Sequence, residues 1–391
     1  SMAVAAARCA DYDFEEVQKA LRRTLAPLGG MAAFVAPGER IALKPNLLAP
    51  AAPEKAVTTH SAVLAAVAVE VKEVGATPVV VESPGTGVVH AKPVIERAFR
   101  RVGYVEVAER YDFELNFDTD WESVSAPDAR LAKRLEVMSP IIRADGVINL
   151  PKLKTHMFMT FTGAVKNLFG VIPGLNKASY HARLADPRRF SEMLLDVAYF
   201  VKPRLNIVDA VLGMEGDGPG TGGLPRKINA LIAGVDPVAV DVACCRITGI
   251  DPGMVPVLTV ARERGLWSGR AADVETLGVS VDELYVKDFV MPGTYEGIGV
   301  GQWGFFEDTI RRILRRFNRW PVPKTGRCTQ CAACERACPV EAISIDQEAR
   351  VAKVDDSLCS RCYCCHEVCP EAAIDLEYSR MGKVMHKLRL L

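Results

Sequence analysis

The chain has 391 residues, 49% of them hydrophobic, which is enough for two or three domains with a sizeable core. Its 48 Lys and Arg balance 48 Asp and Glu, so no general basic charge argues for nucleic-acid binding. No apolar run reaches spanning length, so no transmembrane segment is expected. Nine of the twelve cysteines fall in one C-terminal stretch, and reduced thiols or metal ligands fit a cytoplasmic compartment better than an oxidising one.

Residues 14–28 read as an amphipathic helix, and 40–44 as a short buried strand ending in Lys44-Pro45-Asn46. Proline stops that strand, so Lys44 and Asn46 sit at its carboxyl edge, where open α/β sheets bind ligands. A helix over 60–74 follows, with Thr59 as its expected cap. The apolar run from Pro78 to Val81 leads into Glu82-Ser83-Pro84-Gly85-Thr86-Gly87 and a helix over 92–102. That loop lacks both the phosphate-binding Gly-Lys-Ser/Thr ending and the dinucleotide glycine spacing. Further strands are predicted at 146–150, 205–211 and 228–234, and helices at 190–201, 237–248 and 255–264. The alternation predicts an α/β fold: a mostly parallel sheet with flanking helices, followed by a small cysteine-rich C-terminal domain.

The stretch 150–174 concentrates Lys152, Lys154, His156, Lys166 and Asn167 among Thr160, Thr162 and Gly163. Such cations beside hydroxyl groups suit an anion. A histidine among lysines has a lowered pKa and can act as a base near neutrality. The loop 215–223 is too glycine-rich for core. Its Asp217 is expected to meet a cation, a substrate hydroxyl or a lysine of the 152–166 stretch. Asp236 and Asp241 flank a helix start, where carboxylates cap. Cys244 and Cys245 read as small buried apolar residues inside that helix.

Residues 305–320 form a basic amphipathic segment, with Phe306, Ile310, Ile313, Leu314 and Phe317 on one side and five arginines on the other. It reads as a face packed on the body, with docking to an electron-donor protein or peripheral membrane contact as the functional option. Pro321-Val322-Pro323 ends it. The expected divisions are an α/β body over 1–304, a basic helix and linker over 305–326, and a cluster domain over 327–391.

The cluster domain carries Cys328-x2-Cys331-x2-Cys334-x3-Cys338-Pro339, then Cys359-x2-Cys362-x2-Cys365-x3-Cys369-Pro370. Zinc sites pair two hooks or add histidines, whereas three tandem hooks plus a remote cysteine suit a cubane of iron and sulfide. In such runs the fourth cysteine serves the other cluster. Two [4Fe–4S] clusters are therefore expected, one on Cys328, Cys331, Cys334 and Cys369, the other on Cys359, Cys362, Cys365 and Cys338. The stretch resembles the bacterial two-cluster ferredoxins. Cys364 receives no role.

Residues 40–290 resemble the domain-of-unknown-function-362 family. The resemblance rests on Lys44-Pro45-Asn46, the Lys152 to Gly174 stretch, Asp209-Ala210-Val211 with Gly216-Asp217-Gly218-Pro219, and Asp236 to Asp241. Family members often carry a two-cluster ferredoxin module. A weaker resemblance is to the nickel-pincer lactate racemases, through His156, Gly163, Lys166 and Pro173-Gly174. In those enzymes a lysine anchors the cofactor and histidines act as bases or bind nickel. By order, His90, His156, Lys166 and His181 fall in similar places. The racemase glycine pair is Ala164-Val165 here, so the resemblance implies a shared fold and pocket location, not nickel chemistry.

The combined reading is a cytoplasmic iron–sulfur oxidoreductase of anaerobic electron transport. A small anionic substrate is held by Lys44, Asn46, Lys152, Lys154, Asn167 and Asp217. His156, Lys166 and His181 are the catalytic candidates. Three other classes stay open: a non-catalytic electron-transfer subunit, a non-redox isomerase or lyase on a racemase-like pocket, and a flavin reductase, for which no flavin motif is recognisable.

Overall fold

The computed structural model describes residues 2–85, 89–174, 176–295, 319–378 and 383. The basic stretch expected over 305–320 lies outside the described residues, save Arg319 and Trp320.

Among the described residues ten strands make one sheet. Its central strands are β2 (Arg40–Pro45), β3 (Thr77–Val80), β7 (Gly146–Leu150) and β10 (Leu205–Gly216). These pair in parallel in the order β10-β7-β2-β3, and the two-residue β4 (Glu114–Leu115) extends the sheet in parallel beyond β3. On the other side β11 (Gly223–Gly234) and β1 (Val4–Arg8) add antiparallel, and β12 (Thr276–Gly278) closes that edge parallel to β1. The sheet is thus mostly parallel, as its alternating sequence implies. The run expected at 228–234 is longer, starting at Gly223. It forms a hairpin with β10, because Gly216 to Gly223 turns tightly enough to bring it straight back.

Alternation along each strand divides the core. Ile41, Leu43, Ile148, Leu150, Ile207 and Leu231 face one layer, with α1 (Phe14–Leu25), α2 (Ser61–Glu73) and α3 (Lys92–Arg101) packed on them. Ala42, Val147, Val208 and Ile232 face the other, covered by α8 (Pro187–Val201), α9 (Pro237–Thr248) and α10 (Pro256–Glu263). Cys244 and Cys245 are fully buried in this second layer, in α9. The cap of α2 differs from expectation. His60 Nδ1 accepts from Ala62 N, while Thr59 is drawn into the sheet by Asn46 N and Leu150 O.

Two devices fix the strand ends that matter for the site. After β7, Pro151 makes a bend and the chain re-enters the sheet as β8 (Lys152–His156), still beside β10 and paired to β9 (Thr160–Thr162). Lys152 and Asp209 are register partners, and their charged ends meet at 2.8 Å. Tyr12 OH joins the same pair, donating to Asp209 Oδ1 at 2.8 Å and accepting from Lys152 Nζ at 2.8 Å. Second, Asp241, inside α9, accepts from Ala164 N at 2.5 Å and Val165 N at 3.1 Å. It thereby caps the short helix α6 (Ala164–Asn167), while Asp236 caps α9 itself.

The C-terminal module is two similar halves. A short helix carries the third cysteine of each, Ala333–Ala337 with Cys334 and Cys364–Val368 with Cys365, and Ile343–Asp346 pairs antiparallel with Val351–Val354. Trp320–Pro323 pairs with Ile374–Glu377, so the stretch expected as linker is a strand of the module. Its prolines fit because an edge strand leaves their missing N–H groups without consequence.

Two outcomes follow for stability. Lys152→Met leaves the Asp209 carboxylate buried beside a neutral group. It should cost about 3–5 kcal/mol in urea unfolding, whereas Arg40→Met, breaking the half-exposed Arg40–Glu114 pair, should cost under about 1 kcal/mol. Equal costs would show that Lys152 is not holding the strand. Burial also pushes the Asp241 carboxyl from 3.8 up to about 7. The folded state then holds this proton more tightly than the unfolded chain. Relative to Asp241→Asn, the wild type should therefore lose stability as pH rises from about 4 to about 7, by on the order of 1–4 kcal/mol. A pH-independent difference in urea midpoint would refute this.

Candidate functional site

The carboxyl edge of β2, the strand β8, helix α6 and the loop after β3 enclose a cavity. It has about 60 Å³ of room for water-sized occupants. Of the residues expected there, Lys44, Asn46, Lys154, Lys166, Asn167 and His181 line it. The sequence reading did not include Glu82, Ser83, Lys177, Phe169 and Glu367, which line it too.

Each lysine reaches the cavity for a local reason. Lys44 is the next-to-last residue of β2, and its ammonium bonds Glu82 at 2.7 Å and the Pro45 carbonyl at 2.8 Å. Both charges are weakened by burial, which lowers the lysine and raises the carboxyl. Gly170 passes so close to this pair that any side chain there would collide with it. Lys154 donates only to neutral oxygens, Asn46 Oδ1 and the Val57 carbonyl, both at 2.8 Å. Burial, with Lys166 nearby, drives its pKa well down. Lys177, in α7 (Asn176–Arg183), donates to the Ser83 carbonyl at 2.8 Å, Ser83 Oγ at 2.9 Å and the Pro84 carbonyl at 2.6 Å. Burial brings it to about 7.

Lys166 differs from these. Among the described residues its ammonium has no hydrogen-bond acceptor and no ion pair. Burial lowers its pKa, and the charge of Glu367 partly opposes this. Its backbone is rigid. Asp241 ties the start of α6, and a side chain at Gly163 would strike that carboxylate. Asn167 ends the helix in a chain of amides. It donates to Asn149 Oδ1 at 2.7 Å and accepts from Asn46 Nδ2 at 3.1 Å. Asn149 donates in turn to Asn206 Oδ1 at 2.8 Å.

Glu367 comes from the C-terminal module, in the helix between Cys365 and Cys369. It is 5% exposed, and burial raises its pKa against the pull of Lys166 and Lys154. Its Oε1 lies 3.4 Å from His156 Nε2, and both atoms lack a hydrogen-bond partner. His156 Nδ1 accepts from Phe158 N and Met159 N, which places the ring proton on Nε2, facing Glu367. Burial and then Lys166 depress the His156 pKa, so the ring is neutral. His181 stacks on Phe190 with centroids 4.5 Å apart, and its Nδ1 is buried without a partner. Burial takes it to about 3.

Three expected residues do not line the cavity. Lys152 is held by Asp209 and Tyr12, and His156 stands behind Glu367. Asp217 turns away. Its carboxylate takes Gly293 N at 2.8 Å and lies 3.7 Å from Arg319, while its carbonyl lies 3.2 Å from His366 Nε2. With Thr221 Oγ1 donating to the Cys369 carbonyl at 2.7 Å, the 217–221 loop grips the module rather than a substrate.

The cysteines fit cluster ligation. Cys328, Cys331, Cys334 and Cys369 line one void. Burial, then Cys362, Cys359, Cys334 and Cys338, raise the Cys365 thiol. Ala342 N donates to Cys338 Sγ and Ala373 N to Cys369 Sγ, both at 3.1 Å. Bonds of this kind tune cluster sulfurs. Left-handed residues recur at equivalent places in the halves: Gln330 and Arg361, Ala332 and Tyr363, Glu341 and Ala372. No helix among the described residues is long and apolar enough to cross a membrane.

Residues 41–246 match the family described as domain of unknown function (DUF362), and residues 327–373 match a 4Fe-4S dicluster domain. A thylakoid-associated protein of Synechocystis sp. is 35% identical over 322 residues, covering 81% of this chain and 95% of that protein. The lactate racemase apoprotein from Thermoanaerobacterium thermosaccharolyticum is 12% identical, with a TM-score of 0.41 over 64% of this chain and 57% of the racemase. A protein from Thermotoga maritima is 13% identical, with a TM-score of 0.35 over 59% of this chain and 58% of its own. The chain therefore spans less than two thirds of either solved structure. Matched over more than half its length, and aligned with nearly all of a relative, the chain belongs to the DUF362 family and carries a C-terminal 4Fe-4S ferredoxin-type domain.

Proposed function

We propose that this protein is an iron–sulfur oxidoreductase whose C-terminal module passes low-potential electrons to an anionic substrate in the lysine and histidine cavity of the body. The observation that carries this reading is Glu367, which belongs to the cluster-binding helix and forms a wall of the cavity. In this reading one [4Fe–4S] cluster sits on Cys328, Cys331, Cys334 and Cys369, and the second on Cys359, Cys362, Cys365 and Cys338. Bound there, the clusters supply single electrons at low potential.

The chain's own residues bind and move protons. Lys166 and Lys154 hold the anionic group and stabilise charge that develops beside it. Reducing a double bond takes two electrons and two protons. Lys166, its pKa lowered by burial, is the acid. His181 stays neutral and orients the substrate through its free Nδ1. His156 points its Nε2 proton at Glu367 and positions that side chain at the cavity wall, and the second proton comes from water.

An electron-donor protein docks in this reading on the face where Cys331 is exposed. The reading keeps a cytoplasmic location, where thiol ligands stay reduced. The relative named for thylakoid association supports peripheral membrane contact through residues 305–320.

Anaerobically prepared protein should contain about eight irons and eight sulfides per chain, and Cys328→Ala or Cys359→Ala about half of that. Zinc in place of iron would end the cluster reading. Dithionite-reduced protein should be reoxidised by α,β-unsaturated carboxylic acids, followed by stopped-flow absorbance. Lys166→Met should slow that step about 100-fold with iron content unchanged. Reoxidation at the wild-type rate would remove Lys166 from the site.

A further inference from the structure

We infer that the cavity is built for a compact dianion, a ligand with two negative charges close together, such as a small dicarboxylate or a phosphate-type oxyanion. The inference rests on the preceding reading of the cavity as a substrate site and narrows it to a chemical class.

The charges facing the cavity do not balance among the described residues. Lys44 is matched by Glu82. That leaves the ammonium groups of Lys154, Lys166 and Lys177 against the carboxylate of Glu367. When all three are protonated, three positive charges face one negative, and two are unmatched. Lys154 and Lys177 are hydrogen-bonded, but only to amide, hydroxyl and carbonyl oxygens, which satisfy donors without neutralising charge. Among the described residues Lys166 has no hydrogen-bond acceptor, and the carboxylate that acts on it is Glu367, already counted. Charge held out of water is tolerated only when paired, so the arrangement is complete when an occupant brings two negative charges. The remaining lining offers neutral donors and acceptors around that position: Thr162, Asn46, Asn167 and the unpartnered His181 Nδ1.

A dianion would also restore the proton of Lys177, which burial brings to about 7, so its binding takes up protons near neutrality. A single carboxylate restores it less fully.

The test is calorimetric titration of the anaerobic, cluster-loaded full chain with sulfate, succinate and acetate near neutral pH, in buffers of different ionisation enthalpy. Sulfate or succinate should bind about ten-fold or more tighter than acetate, with measurable proton uptake. A preference for sulfate identifies a phosphate-type ligand, and a preference for succinate a dicarboxylate. Lys166→Met should bring both dianions to the level of acetate at unchanged iron content, and Lys154→Met should do the same if the first variant folds poorly. Acetate binding as tightly as the dianions, no binding of any of the three, or variants indistinguishable from wild type would overturn the inference. Dianion binding with no reoxidation of reduced clusters by any α,β-unsaturated carboxylic acid would defeat the electron-delivery reading and leave this one standing. Reoxidation by monocarboxylates alone would do the reverse.

Discussion

Four ammonium groups, those of Lys44, Lys152, Lys154 and Lys177, are held almost entirely out of water at one end of a single sheet, with the half-buried Lys166 beside them, and the surrounding structure is arranged around that constraint. A buried charge costs several kcal/mol unless something of opposite sign or several good acceptors stand beside it. The fold answers differently at each position. Lys152 and Asp209 are set opposite each other by strand register. Lys44 takes Glu82 from the end of the neighbouring strand. Lys177 is wrapped by oxygens of the loop that follows Glu82. Lys154 is left on amides, and Lys166 on nothing from the body. The carboxylate nearest to these last two comes from another module. The ferredoxin-type domain is therefore part of the electrostatics of the body, not an appendage to it.

How far the sequence revealed this depended on whether a residue's partner was local. The cysteine spacing was legible because ligand geometry acts within a few residues. Lys44 and Asn46 were legible as well, since a proline-terminated strand announces its carboxyl edge. Thr59 misled because a hydroxyl before a helix is normally a cap. Here Thr59 serves the sheet, and a histidine ring nitrogen caps instead. Lys152, Lys154 and His156 alternate in the sequence. That period of two was the available signal that they form a strand and not a loop after one. Asp217 was misjudged because a glycine-rich acidic loop advertises flexibility, while its actual partner is a domain about 150 residues further along. Glu82, Lys177 and Glu367 carried no local signature. Each becomes part of the site only when separate segments meet.

The module is held where it is by the same hairpin that organises the sheet. β10 contributes Asp209 near its middle and ends at Gly216, and the turn beyond it contacts the helix Cys364–Val368 through Asp217, Thr221 and Gly220. Met157, at the tip of the β8–β9 turn, packs with Tyr363 and Leu376 of the module. One face of the module is thus seated by two turns, one of which extends from β8, the strand that carries Lys154. Displacing the module would move Glu367 away from Lys166 and disturb both turns, so cluster position and pocket charge are mechanically linked.

That linkage explains how Lys166 can stand without a partner in the body. An unpaired ammonium would normally swing toward water or drag its backbone to an acceptor. Here the helix that carries it has one turn, anchored at both ends. Asp241 holds its first two N–H groups, and the amide chain from Asn46 through Asn167 and Asn149 to Asn206 holds its last residue. The last of these amides donates to the Gly234 and Val235 carbonyls at the end of β11, so the chain crosses from β2 to β11 and each link is fixed by a strand. A buried polar network with all its members satisfied is stiff. Stiffness of that kind keeps a charged side chain pointing into a cavity when relaxation would otherwise remove it, which is what a preorganised binding group requires. The asparagines and Asp241 make no contact with the Lys166 ammonium. They nevertheless determine where it stands.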